Sequence, residues 1–236
     1  MTTESRRRPT PDHELPALAE AAAAIRAAGR GFFLGVSLMS NRKFSKSYVR
    51  SCASSLAPVP FVLLIADSLE AINHRLLRGM SDADASEKAL AVGANYLRGF
   101  LKIRATNPSF YPLLASKVED ERGYSEIRDS VIDQFAASRI FRAEIRREVR
   151  HNLGQRSRLL IGNGHQMLLE EYVLREVALT LFLHSTLGPN LVQLSPKRLS
   201  LLGRLSRFDE LLARVGLSRA EVEYRWLGEE GERAAA

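Results

Sequence analysis

The sequence predicts an α/β fold built on a parallel sheet. Two short runs, residues 31–38 (GFFLGVSL) and 60–67 (PFVLLIAD), are too brief and too uniformly apolar for surface helices and read as buried strands. The segments between and after them have helical character, so the order is strand, helix, strand, helix, the alternation of a parallel α/β sheet. With 236 residues and 45% hydrophobic content, the chain can bury a full core. In such folds ligands collect beyond the carboxyl ends of the strands.

Each element has a local reason. Residues 13–29 (HELPALAEAAAAIRAAG) form an alanine-rich first helix with a glycine stop at Gly29. After the first strand, residues 44–56 (FSKSYVRSCASSL) read as a helix that the proline pair of APVP ends. The second strand closes on Asp67. A helical run from Ser68 to about Lys102 follows, broken at RGMSDADAS, where Ser81 or Asp82 caps the next helix. Beyond residues 106–116 (TNPSFYPLLAS) the pattern is helical up to Leu187. NLVQLSP then reads as a third strand, residues 198–216 as a helix, and EVEYRWL as an edge strand. Residues 1–11 read as a disordered basic arm, 12–228 as one domain, and 229–236 as a flexible tail.

Composition narrows the function classes. Cys52 is the single cysteine, which excludes a disulfide framework or a cysteine-based zinc site within one chain and favours the cytoplasm. The apolar run near residues 61–66 is far short of the ~20 residues of a membrane helix, and the charged N-terminus lacks the apolar core of a signal peptide. No membrane, metal or cofactor is expected, and the oligomeric expectation is a monomer or weak dimer. The net charge of +7 points to solubility or to a polyanionic partner. Arg139, Arg142, Arg146 and Arg150 fall within an arc of about 80° on a helix, which suits either a solvated face paired with its own glutamates or a track for phosphates.

Three segments carry chemistry. Residues 43–47 (KFSKS) look like the lysine-serine loop of class I aminoacyl-tRNA synthetases, but the His-x-Gly-His signature such an enzyme needs is missing. Ser37 closes the first strand. It is either a nucleophile or a helix cap, and with Met39 where a hydrolase elbow has its second glycine, that signature is incomplete. A base for Ser37 would come from His151, His165 or His184. Tyr172 and Glu176 stand four residues apart, so phenol and carboxylate share a helix face, either as a proton-transferring pair or as the boundary of an amphipathic helix.

In combination, FFLGVSLMSNRKFS (32–45), the stretch LLIADSLEAINHRLLRGMSDADASEKALAVGANYLRGFL (63–101) and EYVLREVA (171–178) resemble the tRNA-dependent cyclodipeptide synthases, in order over residues 31–196. The resemblance implies a Rossmann-like parallel sheet flanked by helices, similar to the catalytic domain of class I synthetases. It implies an ATP-independent, ping-pong aminoacyltransferase with two aminoacyl-tRNAs as substrates. Ser37 would take an aminoacyl group, the amine of a second aminoacyl-tRNA would attack it, and the enzyme-bound dipeptide would cyclise to a diketopiperazine. Tyr172 and Glu176 fall on the family's other catalytic positions, where they would hold the aminoacyl amine and relay protons. Gly35, Ser40, Ser195 and Pro196 fall on aminoacyl-binding positions. The tRNA would lie on Lys88, Arg98, Lys102 and Arg104 or on Arg139, Arg142, Arg146 and Arg150. Ser40 stands where one subgroup has asparagine, as in the Tyr-Pro subgroup, yet Ser195 stands where that subgroup's tyrosine is expected. Arg42 and Lys43 replace small and aromatic residues. A tRNA-independent serine hydrolase or acyltransferase and a non-catalytic tRNA-binding module are the rival readings.

Overall fold

The computed structural model describes residues 17–38, 46–154, 163–195 and 201–226. Five strands, β1 (Gly31–Val36), β2 (Phe61–Ile65), β3 (Phe110–Leu114), β4 (Leu191–Ser195) and β5 (Glu223–Trp226), form one sheet in the order β3-β2-β1-β4-β5. All four pairings are parallel. The strand order reverses at β1, so the crevice between the C-terminal ends of β1 and β4 is the switch point at which an open α/β sheet takes its ligands.

Helices cover both faces, as burial of both sides of a parallel sheet requires. On one face α2 (Lys46–Leu56) and α4 (Asp82–Thr106) pack through Val49, Leu97 and Phe100 against Phe32, Leu34 and Val36. On the other, α1 (Leu18–Ala28), α6 (Tyr124–Ala137), α7 (Arg139–Gly154), α8 (Asn163–Leu187) and α9 (Asp209–Arg214) share a cluster with Phe33, Val62 and Leu64. Strand alternation explains the split, since consecutive β1 side chains point to opposite faces. A fully buried leucine or phenylalanine at these positions contributes roughly 1.5–3 kcal/mol.

Two elements differ from the sequence reading. Residues 106–116, read as a connection, contain β3, whose Pro112 pairs with Leu63. Because β3 is an edge strand, the N–H that proline lacks is not needed by a further neighbour. Residues 198–216, read as one helix, resolve from 201 onward into a 3-10 turn over Leu202–Arg207 and the short α9. The first helix does end at Gly29, whose φ of 67° suits glycine and whose N–H donates to the Arg26 carbonyl. Ser81 caps α4 by accepting from the Asp84 N–H at 3.2 Å.

Between β2 and α4, helix α3 (Asp67–Arg78) leaves the sheet's C-terminal edge. Asp67 at its start lies against Gly93, while Ala71 packs with Ala85 and Ala89 nearer the start of α4. The α3–α4 hairpin therefore projects past the sheet edge on which the switch point opens. Asp67 is buried and accepts from the backbone N–H and the hydroxyl of Ser116, at 2.9 and 2.5 Å, which ties α3 to α5 (Ala115–Glu119) directly after β3.

Candidate active site

Ser37 follows β1 immediately and is half-buried. Ser37 does not cap α2, which begins nine residues later at Lys46, and its side chain makes no hydrogen bond to any described residue. Among the described residues its hydroxyl has no partner at the switch point.

Gly35 lies on the same strand face as Phe33, the face under α8. It is exposed although Leu34 and Val36 are buried, and a Cβ added there would meet nothing within 4 Å. The central strand thus carries a notch two residues before Ser37. Ser195 borders it from the end of β4, buried and paired in register with Trp226. Ser40 and Pro196 lie outside the described residues, as do Arg42, Lys43, the N-terminal arm and the tail.

Helix α8 brings the distant part of the site to this point. It leads into β4 and so runs antiparallel to the strands, and His184 near its end packs edge-on against Phe33, with ring centroids 5.4 Å apart. From that common level, Glu176 is eight helical residues up, about 12 Å. Ser37 is four strand residues up, about 13 Å. On these ideal rises Glu176 and Ser37 come out at about the same height on the same side of the sheet, with Tyr172 roughly one turn further out. Leu169, Val173 and Val177 bury the adjacent face of α8, leaving Tyr172 and Glu176 half-buried at its boundary.

The same construction removes His184 as a base for Ser37, from which it lies about 13 Å away along β1. Burial to 1% exposure lowers its pKa to about 4, with Glu221 pulling weakly the other way. Since the folded-state value lies below the ordinary 6.5, this histidine's stabilisation is fully present above pH 6.5 and is lost as pH falls toward 4. The loss is on the order of 3 kcal/mol. Urea midpoints taken from pH 7 to pH 4.5 should fall for the wild type and flatten by a comparable amount in His184→Leu; parallel profiles would show that acid weakens the fold elsewhere.

The two basic faces differ in how much charge they leave available. On α7, Arg142 donates to the carbonyls of Phe135 and Ala136 and caps the end of α6, while Arg146 pairs with Glu170 at 3.0 Å. Arg139 and Arg150 are exposed with no acidic partner among the described residues. On α4, Lys88, Arg98 and Lys102 are all exposed without an acidic partner among the described residues and fall within about 80° of helix surface. Arg104 is not part of that face: it binds Glu20 and the Pro108 carbonyl and lies over the Tyr111 ring at 4.3 Å.

Sequence reasoning missed two sets of residues here. Lys46 lies across α4 in the space left by Gly99, the residue that follows Arg98 and precedes Lys102 by three, a placement that only the packing of α2 on α4 reveals. Arg175 and Glu119 form a forked ion pair next to Glu176, between elements 56 residues apart. Among the described residues no cluster of three histidines, cysteines or acids is arranged to hold a metal ion, and no helix is long and apolar enough to cross a membrane.

A parallel sheet in this order, with helices on both faces and a half-buried serine at the switch point, defines a Rossmann-like α/β protein. More narrowly, the chain has the fold of the cyclodipeptide synthases. It is similar to the cyclodipeptide synthase AlbC from Streptomyces noursei at a TM-score of 0.65 and 16% identity, over 88% of this chain and 99% of that one. A cyclodipeptide synthase from Bacillus thermoamylovorans superposes at 0.64 with 19% identity, over 89% and 92% of the two chains. A Mycobacterium tuberculosis protein, whose structure relates cyclodipeptide synthetases to type I tRNA synthetases, does so at 0.62 with 18% identity, over 79% and 81%. No protein-family model and no curated protein matches the sequence.

Proposed function

We propose that the protein is a cyclodipeptide synthase, an aminoacyltransferase that condenses two aminoacyl-tRNAs through an aminoacyl ester on Ser37. The observation that supports this reading is the Gly35 notch beside Ser37 at the C-terminal end of β1, on the sheet face that α8 covers, with Tyr172 and Glu176 half-buried on one side of that helix. Ser37 Oγ attacks the aminoacyl ester carbonyl, and the tRNA hydroxyl leaves with the proton. The backbone N–H groups that follow Ser37 in the chain are assigned to the oxyanion. Attack by the second tRNA's own amine would free Ser37 and leave the dipeptide on the tRNA, so an enzyme-bound dipeptide requires the reverse. The amine of the Ser37 aminoacyl ester attacks the ester carbonyl of a second aminoacyl-tRNA, forming the peptide bond and releasing that tRNA's hydroxyl with the proton, and the dipeptide stays esterified to Ser37. The free amine of the dipeptide then attacks its own ester and closes the ring, releasing the alcohol. Covalent catalysis lets one site perform these steps in turn, and an ester is activated enough that no nucleotide is consumed.

Tyr172 anchors the aminoacyl amine and Glu176 carries its proton; the half-buried position of both on one face of α8 supports these roles. The notch at Gly35, with Ser195 beside it, receives the aminoacyl side chain; Ser40 and Pro196 are assigned to the same pocket. The tRNA backbone docks on Lys88, Arg98 and Lys102 of α4, joined by Lys46, because these charges have no acidic partner among the described residues whereas Arg142 and Arg146 of α7 are engaged. Arg139 and Arg150 are a secondary contact.

Mass spectrometry of the products formed from the protein and a mixed pool of aminoacyl-tRNAs tests the reading. The wild type should yield cyclic dipeptides without ATP, and Glu176→Gln should lower the yield by about 10²–10⁴-fold with tRNA affinity unchanged. Turnover of simple esters without tRNA would instead support a hydrolase. Tight tRNA binding without product, unaffected by loss of Ser37, would leave a binding module.

A further inference from the structure

We propose that Arg175 and Glu119 are positioning residues, a clamp that fixes the rotation of α8 about its own axis and thereby the placement of Tyr172 and Glu176. The inference rests on the catalytic reading of that pair given above.

The apolar face of α8 supplies affinity for the sheet but little orientation, since aliphatic contacts are non-directional. A side-chain tip lies roughly 5–6 Å from a helix axis, so a roll of about 10° displaces it by about 1 Å. At a reacting centre such a displacement costs on the order of 100-fold. Something directional has to fix the roll. Arg175, three residues after Tyr172 and one before Glu176, grips Glu119 with Nη2 at 2.8 and 2.7 Å from the two carboxylate oxygens and Nε at 3.2 Å from one of them. The side chains are 24% and 14% exposed, so the fork is largely out of water. Burial opposes the arginine's charge, and the bonds to Glu119 outweigh it, holding the guanidinium pKa above its usual value.

Glu119 is itself anchored. It ends α5, the short helix that Ser116 ties to Asp67, and it accepts from the Tyr124 hydroxyl at 3.3 Å. The clamp therefore refers α8 to the C-terminal edge of the sheet, where Ser37 lies. A second, looser connection leaves from the preceding turn of α8. Glu171 stands 3.8 Å from Arg175 and 3.7 Å from Arg75, which pairs with Asp82 at 2.7 Å where α4 begins. The charges thus run from the sheet edge through the turn of α8 that carries Tyr172 and Glu176 to the helix proposed to hold tRNA.

The test compares Arg175→Lys, which keeps the charge and loses the fork, with Glu119→Gln and Glu171→Gln. Kinetics are read at a temperature where circular dichroism shows each variant folded. Arg175→Lys and Glu119→Gln should lower kcat at least tenfold with KM for aminoacyl-tRNA within about twofold, and half-exposed Glu171→Gln should lower kcat severalfold. Deuterium uptake of residues 168–180 should rise in all three. Should Arg175→Lys fail to fold, Glu119→Gln carries the test of the clamp, and Glu171→Gln reads the looser connection. Wild-type kcat in the folded variants, or a loss confined to KM, overturns the clamp. A wild type that makes no cyclic dipeptide overturns the functional reading instead, and deuterium uptake then decides the clamp: unchanged uptake overturns it and raised uptake supports it.

Discussion

Substitution of Ser37 by alanine is expected to abolish both the aminoacyl-enzyme and the cyclic dipeptide, with product formation falling by about 10³-fold or more. The size follows from the role: without the hydroxyl no ester can form, and neither Tyr172 nor Glu176 supplies a substitute nucleophile. Stability should move by no more than about 0.5 kcal/mol, because the hydroxyl bonds no described residue and caps no described helix. That combination separates catalysis from structure, since a capping serine would show the reverse pattern. The check is acid trapping after incubation with labelled aminoacyl-tRNA. The wild type should hold a labile ester that Ser37→Ala lacks, and equal labelling of both proteins would remove Ser37 from the mechanism.

The components proposed for this site are legible in the amino-acid sequence. The apolar run ending in Ser37 and the four-residue spacing of Tyr172 and Glu176 are local patterns, and local patterns survive in one dimension. Their proposed meeting is not local. It depends on α8 running antiparallel to β1 with His184 against Phe33, a contact across about 150 residues of chain that no periodicity encodes. The strand at 110–114 escapes sequence reasoning for a related reason: Pro112 is a poor strand signal until the segment is known to be an edge. The arginine stripe on α7 shows the opposite limit. Its periodicity is plain in the sequence, but the engagement of Arg142 with the end of α6 and of Arg146 with Glu170 follows only from packing. The α4 cations are weaker by count, yet without acidic partners among the described residues they present the more available charge.

Gly93→Ala is expected to destabilise the protein by about 2 kcal/mol net. Ala85, Ala89 and Gly93, spaced four apart, line the face of α4 that meets α3, with Ala71 opposite. A Cβ on Gly93 would come closer than 3.0 Å to Asp67 Cβ. That atom cannot swing aside, because it is fixed to the backbone and the carboxylate beyond it is held by Ser116. Overpacking of this kind costs about 3 kcal/mol, against about 1 kcal/mol gained from replacing a helical glycine. At about 2–4 °C per kcal/mol for a chain of this size, the melting temperature should fall by roughly 4–8 °C. Gly99→Ala on the same helix supplies the control. The Cβ there would also come closer than 3.0 Å to its nearest atoms, but those are the flexible end of Lys46, which can move into solvent. It should therefore gain up to about 1 kcal/mol while weakening tRNA binding by displacing that ammonium from Arg98 and Lys102. Denaturant midpoints and salt-dependent tRNA binding on the two variants read both effects. Equal stability changes in the two would mean that the α3–α4 seam yields as easily as a lysine side chain, and that it does not fix the hairpin over the switch point.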